Sequence, residues 1–187
     1  MIFRVRASVG ALCALALAGC GAEPASAPAP KPEADTLARV SPEEQAKAAA
    51  EIAADEAARD ARIPANVPAA PVTGFCMSGP DEQFCEANRI EFEKKDWPRA
   101  WGGDYQGQRN TAYCLFTGCD GAVQVNKVLA CAWRQVIQAS GDVEVGQSDL
   151  DQQKLECGAL DDAGRVAARA QAGGIFQTVY KRALPAA

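Results

Sequence analysis

From Gln124 to Ser140 the apolar residues Val125, Val128, Leu129, Ala132, Trp133, Val136 and Ile137 recur at three- and four-residue steps. That spacing lays them on one face of an α-helix. Cys131 falls on the opposite face with Lys127, Arg134 and Gln138, so its thiol should reach a third element, not the main partner of this helix. A second helix is expected over Asp104–Thr117, with Tyr105, Ala112, Leu115 and Phe116 on its apolar face and Cys114 again off it. Gly118 to Val123 is the turn between the two, and a short turn predicts antiparallel packing. Pro80–Lys95 reads as an earlier helix, and Ser148–Ala159 and Asp161–Leu184 as two later ones. The last is weakened by Gly173-Gly174, where a kink is expected. No run alternates with the period of a strand. The expected class is therefore all-α: a small, disulfide-stapled helical domain containing one antiparallel helix–turn–helix hairpin.

Upstream the pattern changes. Ser41-Pro42-Glu43-Glu44 is a helix start: Ser41 caps, Pro42 suits the first helical position, and Glu44 closes a capping box. The segment 41–63 carries only Ile52 and Ile63 as large apolar residues, so it reads as a solvated helix stopped by Pro64. It would serve as a spacer, which we favour, or as a partner-binding arm. Residues 20–40 contain Pro24, Pro28, Pro30 and Pro32 among Ala, Glu and Ser and read as an extended tether. A second Pro-rich stretch, 64–73, reads as a linker to the folded domain over 74–184.

The first residues carry an address. Arg4 and Arg6 precede a short apolar run, Val9 to Leu17, and then Leu17-Ala18-Gly19-Cys20. A basic start, an apolar core and a small-residue exit make a secretory signal over 1–19, and the run is too short to span a bilayer. The residues around Cys20 resemble a bacterial lipobox, where a precursor is cut and the cysteine thiol is acylated. The competing reading is an ordinary signal peptide with a chance cysteine at the cut. The resemblance implies a protein held on the lipid bilayer through acylated Cys20, in the cell envelope and facing the periplasm. Gly21 is not the Asp that resembles an inner-membrane retention signal, which favours the outer membrane.

Charge and composition then exclude whole classes. The chain carries a net charge of −5, and losing Arg4 and Arg6 with the leader takes this to −7. That balance argues against nucleic acid and against electrostatic docking on anionic lipid. There is no histidine, which removes Ser-His-Asp and Cys-His catalysis and His-ligated zinc. Of the 8 cysteines, Cys13 leaves with the leader and Cys20 takes lipid. Cys76, Cys85, Cys114, Cys119, Cys131 and Cys157 remain, an even set in an exported chain, which reads as a disulfide framework. A zinc site from the last four is the weaker reading, because no Cys-x-x-Cys occurs. The pairing we expect is Cys76–Cys85 and Cys114–Cys119 as short local loops, with Cys131–Cys157 tying the off-face side of the 124–140 helix to the next helix.

Gly103-Asp104-Tyr105-Gln106-Gly107-Gln108-Arg109-Asn110 opens the hairpin, and Gly118, Gly121-Ala122-Val123, Asn126, Ala130 and Trp133 follow. This pattern, over 103–140, resembles a Sel-like repeat, a relative of the tetratricopeptide repeat. Asp104 would cap the first helix, Gly118 and Gly121 would let the turn reverse, Ala130 would permit close approach and Trp133 would fill the core. The turn carries Cys119-Asp120 as an insertion, and only one clear repeat is present. The resemblance implies protein–protein scaffolding with an envelope protein as partner. It also implies contact through the concave face of the hairpin, for which Tyr105, Arg109 and Tyr113 are the candidates. No cofactor, metal ligand or catalytic residue is expected. The alternative is an envelope enzyme or enzyme inhibitor acting on wall material, with Glu91, Glu93 and Asp96 beside Trp97 and Trp101 as its carboxylates.

Overall fold

The computed structural model describes residues 41–76 and 82–186. The leader, Cys20, the 20–40 tether and the expected helix start at Pro80 lie outside the described residues. The described chain is all-helical: α1 Pro42–Asp60, α2 Glu82–Glu91, a π-helical segment Phe92–Asp96, α3 Trp97–Trp101, α4 Tyr105–Thr117, α5 Lys127–Ser140, α6 Gln147–Gly158 and α7 Asp162–Tyr180. Its β pairing is a single isolated bridge, Val72 to Val123.

The capping box of α1 is formed. Ser41 Oγ accepts from the Glu44 N–H at 3.1 Å, and the Ser41 N–H donates to Glu44 Oε2 at 2.8 Å. None of its residues is buried, as its composition predicts. Its C-terminal end, however, is tied down: Asp60 Oδ1 accepts from Arg99 Nε at 2.6 Å, and Arg59 and Arg62 both turn onto Asp104. The stretch 64–73, expected as a linker, is an extended strap along the domain. Pro68 offers its carbonyl to Trp97 Nε1 at 2.6 Å, and Pro71 O and Ala122 O accept from Gln124 and Thr73. Prolines lack an N–H but keep an acceptor, so a Pro-rich strand can serve as an edge.

α2, the π segment and α3 run on as one rod. Pro98 cannot donate to the carbonyl four residues back, and its ring crowds that carbonyl. The ladder widens just before it, with Trp97 N–H donating to Phe92 O. The result turns Phe92, Trp97 and Ala100 into the core. α4 begins where expected. Asp104 accepts from the Gly107 N–H at 2.8 Å, and Gly118, at φ 87°, closes the far end. A Cβ on Gly107 would stand 2.9 Å from Ala100 N and Arg99 Cβ, so its absence is what lets α4 approach α3. The inserted Cys119 and Asp120 take left-handed conformations, φ 42° and 56°, between Gly118 and Gly121.

α4 and α5 are antiparallel. Leu115 O, at the end of α4, accepts from Asn126 N at the start of α5, and the Tyr105 hydroxyl, at the start of α4, reaches Glu144 O beyond the end of α5. α5 is the central helix, packed by α4, α6 and α7. Trp133, Val136 and Ile137 are fully buried, and so is Cys131 on the other side. Trp97, Trp101 and Trp133 meet edge to face, with centroids 5.4 to 6.2 Å apart. α7 buries Ala168, Ala172, Ile175 and Phe176 and runs unbroken through Gly173-Gly174, ending at Tyr180. The glycine pair does not interrupt the helix, and the last turn stops short of Leu184 where Lys181 turns left-handed, φ 57°.

Three disulfides staple this bundle: Cys76–Cys85, Cys114–Cys119 and Cys131–Cys157. The third joins α5 to α6 from the face of α5 opposite its apolar stripe. Alkylation of native protein without reductant should leave all six thiols unlabelled, and reduction should expose them. Replacing Cys131 and Cys157 by Ser should cost about 2–5 kcal/mol in urea unfolding. Stoichiometric free thiols in the folded protein would overturn the framework.

Candidate functional site

α6 is built inside out. Its two fully buried residues are carboxylates, Asp149 and Glu156, while Leu150 and Leu155 face solvent. The carboxylates are seven residues apart and so share a helix face. Glu156 Oε1 accepts from Arg134 Nη2 of α5 at 2.7 Å. Asp149 Oδ1 lies 3.0 Å from Arg109 Nε of α4, and its Oδ2 accepts from the Tyr105 hydroxyl at 2.7 Å. Burial costs are offset here by pairing each ion with an opposite one. Burial and the Asp149 hydrogen bond push the Tyr105 phenol up to about 12.

Above these pairs, α4, α5 and α6 leave a groove of about 200 Å³, lined by Gln106, Arg109, Asn110, Tyr113, Arg134 and Gln152. Every lining side chain can form hydrogen bonds. Arg134 is 3% exposed, and its Nε has no partner among the described residues. A second cavity of about 300 Å³ lies between the end of α1, the start of α4 and the α5–α6 loop. Its two arginines, Arg59 and Arg62, are already turned onto Asp104, and Asp55, Asp142 and Glu144 leave the lining net acidic.

The three residues expected to contact a partner do not behave alike. Tyr113 is 55% exposed at the groove rim. Arg109 reaches the groove but is held by Asp149 and lies over the Tyr105 ring, 5.4 Å from its centroid. Tyr105 is a correction: it is 8% exposed, with its hydroxyl bonded to Glu144 O in the α5–α6 loop and to Asp149 of α6, so little of the ring is open to a partner. It is a structural residue. The groove also takes in Arg134, Gln106, Asn110 and Gln152, which no pattern along the chain singles out for a site. Asp149 and Glu156 as an inward stripe were legible only once Leu150 and Leu155 were known to face out.

The carboxylates of the enzyme alternative each hold a partner of their own. Glu91 is paired with Lys95, and Glu93 with Arg89 and Lys94. Asp96 is buried, where desolvation raises its pKa, and accepts from Asn110 Nδ2 at 2.9 Å. Among the described residues no group of three or more Cys, Asp or Glu side chains is placed to hold a metal ion, and no helix is long and apolar enough to cross a membrane. Comparison with protein-family models, curated proteins and solved structures finds no match to this chain.

Proposed function

We propose that this is a lipid-anchored lipoprotein of the bacterial envelope whose helical domain binds a protein partner through the α4–α6 groove. The observation that carries the reading is that groove: a row of polar side chains beside an exposed tyrosine, over a rigid, cross-linked floor. The Sel-like pattern over 103–140 supports the same assignment, as does the lipobox at Cys20 for the address. One acyl chain binds a bilayer weakly and several bind it firmly, so the anchor would hold the domain without help from its acidic surface. The enzyme alternative finds less support, because Glu91, Glu93 and Asp96 each serve a separate partner.

Two measurements test this. Intact mass of the mature protein should show cleavage before Cys20 and an acylated thiol, and Cys20→Ala should leave the protein unlipidated; an unmodified Cys20 in the wild type would end the lipoprotein reading. For the groove, a photo-crosslinking side chain at Tyr113 should capture a defined envelope partner in situ. Tyr113→Ala should weaken that association about tenfold with the thermal midpoint unchanged, because the ring is at the surface. Arg109→Ala is the wrong probe, since it leaves buried Asp149 without its cation and should destabilise the fold.

A further inference from the structure

We propose that the α4–α6 groove takes an uncharged, extended peptide segment of its partner and reads it through main-chain amides. This rests on the partner-binding reading above and specifies the ligand chemistry of that same site. The first argument is charge balance. Arg109 and Asp149, and Arg134 and Glu156, sum to zero beneath the groove, and both carboxylates are almost fully buried. A ligand carboxylate or ammonium would add an uncompensated ion beside a set that is already neutral and poorly hydrated, which is unfavourable. A neutral group that both accepts and donates has no such penalty.

The second argument is the unused bonding capacity. Within the Arg134–Glu156 pair a donor, Arg134 Nε, and an acceptor, Glu156 Oε2, are both buried with no partner among the described residues, and Arg134 lines the groove. A carbonyl oxygen is the neutral acceptor that suits the Nε–H. On the walls, Gln152 and the Tyr113 hydroxyl hold no hydrogen bond among the described residues, and Gln106 keeps its amide oxygen open after donating to Asn110 at 2.7 Å. The third argument is shape. Gln106, Arg109, Asn110 and Tyr113 are spaced i, i+3, i+4, i+7, so they form one row along α4, roughly 10 Å long at helical rise. An extended chain covers that length with about three residues, presenting alternating C=O and N–H groups along it.

The experiment uses the full mature chain carrying Cys20→Ala, with its disulfides intact, and follows the Arg134 Nε–H resonance by nitrogen-15 NMR during titration. The probes are an end-capped glycine–asparagine tetrapeptide, an end-capped tetraglutamate and the trimer of N-acetylglucosamine. The neutral peptide should shift the Arg134 Nε–H signal saturably, and tetraglutamate should bind at least tenfold more weakly. Arg134→Lys keeps the charge but removes the Nε donor and should weaken the neutral peptide about tenfold. Gln152→Ala, at a half-buried position on the wall with no hydrogen bond of its own, should weaken it with the fold intact and keeps the question open to test should Arg134→Lys unfold. Equal or tighter binding of tetraglutamate would overturn the charge argument. Binding of the sugar trimer alone would replace the peptide by a glycan. If no probe moves the Arg134 signal while crosslinking at Tyr113 still captures a protein, the partner-binding reading stands and this one fails.

Discussion

Trp133→Ala should destabilise the domain by about 3–5 kcal/mol, the usual range for truncating a large buried aromatic. The indole is fully buried and meets Trp101 and Trp97 edge to face at 5.4 and 6.2 Å. Its Nε1 has no hydrogen-bond partner among the described residues, so the loss is one of packing. α5 is packed by α4, α6 and α7, and a void at its centre cannot be filled by moving one neighbour. In a domain of this size the thermal midpoint should fall by roughly 10–20 °C, read by calorimetry. Trp133→Phe, which keeps a ring, should cost less, and Val143→Ala, at a fully exposed site, should cost nothing measurable. A Trp133→Ala loss below about 1 kcal/mol would mean that the tryptophan cluster does not form the core.

Glu156→Ala should be the second large effect. It removes the partner of Arg134 and leaves a guanidinium, itself buried, with no counter-ion. Breaking one side of such a pair costs about 3–5 kcal/mol, whereas replacing both sides by apolar residues of similar volume is often neutral or stabilising. Urea unfolding should therefore show a severe loss for Glu156→Ala and recovery in the double variant Arg134→Met, Glu156→Leu. The prediction separates packing from charge: α6 would stay docked in the double variant while the polar floor of the groove would be gone. If Glu156→Ala is as stable as wild type, the pair is hydrated and the groove floor is open to water.

These expectations divide by how local their causes are. The capping box at Ser41, the Asp104 cap and the reversal at Gly118 each depend on a few neighbouring residues and are legible in the chain, whereas Asn126, expected within a helix from Gln124, caps α5 and leaves Val125 exposed outside it. Trp133 is legible too, because the stripe on α5 is long and strongly periodic. The π-helical segment before Pro98 is half legible: the proline announces a disturbed ladder, but whether the rod breaks or widens depends on what Phe92 and Trp97 bury. The strap over 64–73 is not legible, since proline composition reads alike in a free linker and in a chain laid against Val123 and Trp97.

The site was the hardest part to foresee, and Tyr105 and Glu156 show why. Tyr105 sits on the apolar face of α4, yet it was a candidate for partner contact; the groove rim belongs to Tyr113, two turns further along the helix. Glu156 looks like any solvated acid on a polar helix. By itself the sequence determined the helices, the Ser41 and Asp104 caps, the off-face position of Cys131 and the burial of Trp133, because each follows from spacing along one segment. Only the tertiary structure decided that α6 turns its carboxylates inward. A buried carboxylate needs a cation or hydrogen-bond donor from another element to meet it, and for Asp149 and Glu156 these are Arg109 of α4 and Arg134 of α5.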